Sequence, residues 1–311
     1  MLENFLTVGE QVLILFILIC IGAITGKCGI IKRDAIPSIN SFILYFVAVS
    51  VIIKSFYRDF DVQMFKGLGI AALLAVLTHV LNIVIAHLFI HDKERKKECV
   101  LRFASVFSNC GFMAIPLQTA LLGDRGVFFG AVYIAVFNIA CWTYGLILMS
   151  GDKKNLSAKK IFVNPGVIGV SLGMLLFLTS VKLPEVVYMP ISYLAALNTP
   201  LPMIVIGFML WEIFSSGIKE IKGLLTNGKL YLAMIIRIVI VPLMMFAIMS
   251  LLQIERTIML SILICASAPV AAMTSMFAEK FGGDEELSVT AVSISTILSL
   301  ITMPVIISMA M

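Results

Sequence analysis

Charge is scarce in this chain of 311 residues: Asp, Glu, Lys and Arg together make up 13%, against 60% hydrophobic residues, and the mean hydropathy is +1.07. A soluble domain carries about 25% charged and about 45–50% apolar residues. A soluble fold is therefore excluded, and the chain reads as an all-α polytopic membrane protein. The 18 acidic residues all fall in loops or near the ends of apolar segments. That removes hydrolysis by a Ser, His and Asp arrangement, and also a proton relay through buried carboxylates. Metal ligands are not clustered, and Cys20, Cys28, Cys99, Cys110, Cys141 and Cys265 are scattered without metal-ligand spacing. No metal site, cofactor or disulfide framework is expected, and the cysteines are read as packing residues. The start, Met1 to Gln11, has no cation, so the first apolar segment is read as a retained span and not as a signal peptide. No loop or tail is long enough for an output domain. The net charge of +5 sits in short loops, where it sets orientation; no nucleic-acid partner and no enzymatic activity are expected.

Apolar length is what the sequence has in abundance. A span needs about 20 predominantly apolar residues, and ten segments qualify: 10–30, 35–56, 64–89, 98–122, 126–149, 164–181, 187–213, 229–252, 257–280 and 286–310. With the N-terminus outside, the inner loops hold fifteen cations: Lys27, Lys32, Arg33, Lys93, Arg95, Lys96, Lys97, Lys153, Lys154, Lys159, Lys160, Lys219, Lys222, Lys229 and Lys280. The outer loops hold six: Lys54, Arg58, Lys66, Arg125, Lys182 and Arg256. Topology follows this count, which places the protein in the cell membrane with both termini extracellular or periplasmic. The run His91–Glu98 is then a solvated cytoplasmic loop, in preference to an anionic-lipid contact. The inner linker 151–163 separates a first half, 1–150, from a second, 164–311, with five segments each. Five is odd, so the second half starts on the opposite side, and homologous halves would form an inverted repeat. Pro37 and Pro190 open segments 2 and 7, Asn40 and Asn198 lie within them, and Pro116 and Pro269 interrupt segments 4 and 9. Paired interruptions of this kind mark the binding site of secondary transporters.

The stretch Asn109-Cys110-Gly111-Phe112-Met113-Ala114-Ile115-Pro116 is predicted to break its helix between Gly111, with its freedom of φ, and Pro116, with its missing N–H. If Pro116 and Pro269 each open a half-helix, two N-termini meet near the midplane and favour an anion. The C-termini of the preceding half-helices point to the same place and favour a cation, so the sign of the ligand stays open on geometry alone. A single proline in a span is equally well a tolerated kink. Asn109 suits either a broken backbone or a carboxylate. For Asn40, Asn138 and Asn198, interhelical hydrogen bonding is the commoner role, and the Ser and Thr residues of segment 10 read as close-packing residues. His79, with Asn82 one turn on, is a packed neutral histidine or a proton-coupling group. Arg237, about 12 Å inside segment 8, satisfies a helix end or attracts an anion. Arg102, nearer the interface, snorkels.

Residues 109–123, residues 138–145, Arg237 with Pro242, Ala268-Pro269 and residues 278–287 together resemble the auxin efflux carriers and their bacterial relatives, which include malate and malonate permeases. The likeness runs through nearly the whole chain. It implies ten helices in two inverted five-helix repeats, with helices 4 and 9 broken and crossing. Helices 1, 2, 6 and 7 would form a scaffold, and helices 3–5 and 8–10 a mobile transport domain. It also implies a carboxylate held at the crossing by Asn109, Gly111 and the half-helix ends at Pro116 and Pro269. Asn138 would line the same region, with Tyr45 and Asn198 touching the substrate from the scaffold. The chain departs from such carriers at Ala48-Val49-Ser50, where a proline is frequent, although Pro202 is present in segment 7.

The expected activity is secondary transport of a small organic anion, a carboxylate such as malate or malonate, by alternating access. The alternatives are a sodium- or proton-coupled symporter of the bile-acid-carrier type and a membrane sensor descended from a carrier. The expected partners are the anion, membrane lipid, sodium or a proton as coupling ion, and a second copy of the chain in a homodimer.

Overall fold

Polar caps set where many of the helices begin. Asp61, Asn164, Asn227, Glu255 and Asp284 each precede a helix and accept a hydrogen bond from a backbone N–H of its first turn. The computed structural model describes residues 2–152, 164–215 and 227–311, and its regular structure there is helical apart from one isolated bridge. In chain order the helices are α1 (Gly9–Lys27), α2 (Arg33–Phe56), α3 (Val62–Phe89), α4 (Arg95–Val106), α5 (Cys110–Ser150), α6 (Pro165–Thr179), α7 (Glu185–Glu212), α8 (Gly228–Leu251), α9 (Arg256–Ser267), α10 (Met273–Phe281) and α11 (Glu285–Ala310). Among the described residues seven of them, all but α4, α6, α9 and α10, are long and apolar enough to cross a membrane. The protein is a multi-pass membrane protein.

Each of the ten expected segments contains helix, but several depart from a single unbroken span. Segments 4 and 9 are interrupted, and segment 6 keeps 15 helical residues in α6. The 41 residues of α5 would extend about 60 Å if straight, roughly twice the hydrocarbon thickness. Gly123 divides them, with φ 62° and ψ −159°, a backbone region essentially reserved for glycine. Most of the linker 151–163, with Lys153, Lys154, Lys159 and Lys160, lies outside the described residues, as do Lys219 and Lys222.

Packing follows the small residues. α1 lies along α7, where Gly22 abuts the backbone carbonyl of Ile204 and Gly207 abuts that of Ile19. Such close approach of two backbones is the usual way helices associate in lipid. α2 packs against α6 and α7, and α3 against α5. α9 is buried along nearly its whole length by α5, α8 and α11. An aromatic cluster fills the space beside α4, with Phe103 and Phe107 rings 4.4 Å apart and Phe277 of α10 5.4 Å from Phe103.

Charged side chains tie loop to loop. Arg33 pairs with Glu212 at 3.0 Å and Lys229 with Asp92 at 2.8 Å, while the Asp284 N–H donates to the Lys96 carbonyl. At the other end of the bundle Lys182 pairs with Asp59, and Arg125 with Glu255 at 3.6 Å. Arg102 pairs with Glu98 and donates to the Ile90 carbonyl beside the loop.

Candidate functional site

α4 and α9 are each twelve residues long, about 18 Å, so each is too short to cross a hydrocarbon layer about 30 Å thick. Beyond them the chain is non-helical at 107–109, with Phe107 extended, and irregular at 268–272, and these two pieces run antiparallel through a bridge between Ser108 and Val270. The Asn109 N–H donates to the Pro269 carbonyl at 2.7 Å, and the Ala271 N–H donates to the Phe107 carbonyl at 3.0 Å. The Val270 N–H donates to the Ser295 hydroxyl of α11 at 3.1 Å. Each break thus supplies hydrogen bonds that the other lacks, which lipid could not do.

The first break does not fall where the sequence placed it. It lies upstream of Gly111, at Phe107–Asn109, and Pro116 is the second residue of regular α-helix. Residues Cys110–Ala114 form a wide π-turn. A proline ring clashes with the carbonyl four residues earlier, and a wide turn just upstream relieves that clash without opening the helix. The same device recurs in α8, where the π-turn Ile236–Ile240 ends two residues before Pro242. Gly111 makes no use of positive φ, and a side chain there would meet open space. Pro269 likewise opens no helix: it lies within the irregular segment, four residues before α10 begins.

Arg237 is fully buried, and its guanidinium reaches the ends of both helices that stop at the breaks. Nη1 donates to the Val106 carbonyl at 3.0 Å, and Nη2 donates to the Ala266 carbonyl. The Asn82 amide also donates to Val106, at 2.9 Å. Arg237 thus donates to the ends of two helices at once.

The opposite ends, the N-termini of α5 and α10, face a cleft of about 30 Å³. Asn109 and Phe112 line it at the start of α5, and Ala272 and Ser275 at the start of α10. Ser293 and Thr296 of α11 and an apolar face of α7 from Val205 to Leu210 complete it. The Asn109 side chain does not cap its own helix and borders this space. A volume of this size accommodates one or two waters, so any larger molecule needs α7 and the opposing wall to separate.

The remaining candidates lie elsewhere. The Asn138 amide donates to the Ile134 carbonyl of its own helix and touches Gly166 at the start of α6. Tyr45 is 55% exposed on α2. Asn198 is buried in the turn of α7, and neither of its amide atoms has a protein partner. His79 pairs Nδ1 with the Ala75 carbonyl at 2.8 Å and sits tilted among the rings of Tyr133, Phe107 and Phe137, while Nε2 has no partner. Two contributors were not singled out by the sequence. Gln118 donates to the Ser261 carbonyl at 2.8 Å and so staples α5 to α9, and Ser295 holds the second break. Gln118 carried a signal, being a polar residue in the middle of a span just after Pro116; Ser295 was hidden among the other hydroxyls of α11.

Comparison with known proteins adds a lineage to this geometry. The model of a family described as membrane transport protein matches residues 7–161 and 154–307. An uncharacterized transporter of Methanothermobacter thermautotrophicus is 24% identical over 300 residues, covering 95% of this chain and 96% of its own. An uncharacterized transporter of Methanocaldococcus jannaschii is 23% identical over 305 residues, covering 94% and 95%.

Proposed function

The chain belongs to the membrane transport protein family, that of the auxin efflux carriers, and from this premise we propose that it is a secondary transporter of a small organic anion, a carboxylate such as malate or malonate. One observation carries the choice of sign. The cleft opens on the N-termini of α5 and α10, while the C-termini of α4 and α9 are already occupied by Arg237. Each N-terminus carries about +0.5 charge, so two of them match one carboxylate. Asn109 offers a further donor beside them, and the apolar face of α7 suits the remainder of a small organic acid.

The proposal extends to ten crossings with both termini outside, arranged as an inverted repeat. The inter-loop contacts support the alternation: Arg33 with Glu212, Lys229 with Asp92 and Lys96 with Asp284 join loops assigned inside, whereas Lys182 with Asp59 and Arg125 with Glu255 join loops assigned outside. The two matched segments, 7–161 and 154–307, meet at the linker between the proposed halves. Alternating access would then move α3–α5 and α8–α11 past a scaffold of α1, α2, α6 and α7, with the cleft at the boundary on α7. Catalysis is no part of this reading.

The test is uptake or counterflow in proteoliposomes with labelled malate, malonate and aromatic acids. Transport of at least one acid is expected, with a loss of tenfold or more in Asn109→Ala. Rates unchanged in both Asn109→Ala and Pro116→Ala would remove the site from the proposal.

A further inference from the structure

Arg237 raises a question that the carrier reading leaves aside, namely what a full positive charge does in the middle of the membrane without a carboxylate. Among the described residues no Asp or Glu pairs with it; its bonds go to the carbonyls of Val106 and Ala266, at the last turns of α4 and α9. Each helix C-terminus carries about −0.5 charge, so the two together balance one guanidinium. These carbonyls, converging from two helices at the breaks, are also the kind of oxygen donors that bind a sodium ion where irregular backbone lies at membrane depth. The buried Tyr133 hydroxyl neighbours the guanidinium, and the Ser108 hydroxyl neighbours that of Tyr133.

We propose that Arg237 is a resident counter-ion: its guanidinium occupies the place that a bound metal cation would take between the two helix C-termini, and removing it uncovers a cation site there. The planar fork suits this role, since one guanidinium presents separate N–H groups to carbonyls on two helices, which a lysine ammonium does less well. For the carrier, and resting on that reading, the consequence is anion transport that needs no sodium at this position.

The experiment is thermal unfolding of the purified protein in detergent without any organic acid, in low-millimolar guanidinium, sodium or choline chloride. Arg237→Ala is expected to melt several degrees below wild type in choline and to recover part of the loss in guanidinium or sodium, while wild type is indifferent to the three salts. A variant that melts like wild type, or one equally unstable in all three salts, overturns the proposal. Should Arg237→Ala fail to fold, Arg237→Lys and Arg237→Met decide. The lysine variant is expected to melt several degrees above the methionine variant because it keeps the charge, and equal melting temperatures overturn the proposal. No substrate enters these measurements, so their failure leaves anion transport standing, and absence of transport leaves the counter-ion standing.

Discussion

Asn109 is the residue on which recognition and architecture are most easily separated. Its backbone N–H bonds the Pro269 carbonyl, while its side chain borders the cleft without capping the helix. Asn109→Ala keeps the backbone bond, so its melting temperature should stay within a few degrees of wild type while transport falls. Asn109→Asp adds a negative charge where the proposed function puts an anion, and should depress transport further at pH 7 than the alanine variant does. Both follow from parallel melting curves and uptake rates. His79 gives the opposite forecast. Its ring sits in an aromatic box of Tyr133, Phe107 and Phe137, so His79→Phe should fold and transport with an unchanged pH profile between about pH 6 and 8. That window spans the ordinary histidine pKa of about 6.5, and a profile that flattens would assign the proton to this residue.

At the scale of elements, the paired Pro116 and Pro269 were the signal that segments 4 and 9 are interrupted, and both are, although Pro116 itself sits inside regular helix. The signal did not show where, because the wide turn at Cys110–Ala114 absorbs the proline and moves the break upstream to Phe107–Asn109. A similar wide turn, Ile43–Val47, ends just before Ala48-Val49-Ser50, where comparable carriers often have proline, so the backbone feature is present without the residue. The depth of Arg237 was legible, but its partners were not, since Val106 lies 131 residues away and Ala266 29. Ser293 and Thr296 do bond carbonyls of their own helix, as packing residues would, yet they also line the cleft. Periodicity cannot distinguish those two faces. Glycines give the clearest forecasts at this scale. Gly123→Ala forces a side chain into a backbone region that costs about 1–3 kcal/mol, and the melting temperature should fall accordingly. Gly207→Leu drives a bulky group into the Ile19 carbonyl and should separate α1 from α7; overpacking of this kind costs typically about 1–3 kcal/mol. Loss of folded protein on size exclusion, or a lowered melting temperature, checks it.

For the whole molecule, the cleft lies between α7 on one side and α5, α10 and α11 on the other. If transport requires those walls to separate, then Val205→Cys with Ser293→Cys, joined by a bifunctional methanethiosulfonate that links to each thiol through a disulfide, should abolish uptake, and reduction of those disulfides should restore it. The exposed Cys20 and Cys28 would first be replaced by serine. Uptake that persists across a complete cross-link would place the moving boundary elsewhere.

The reciprocal bonds between the breaks bear on how such motion can proceed. Asn109 to Pro269 and Phe107 to Ala271 fasten two chain segments some 160 residues apart in sequence like a rivet through two bars. Pulling the bars apart would strand two N–H groups and two carbonyls where no solvent is available to replace them, at several kcal/mol for each group. The cheapest displacement keeps the rivet closed and carries both bars together, so the cargo would travel with its own floor and no gate would swing open between them.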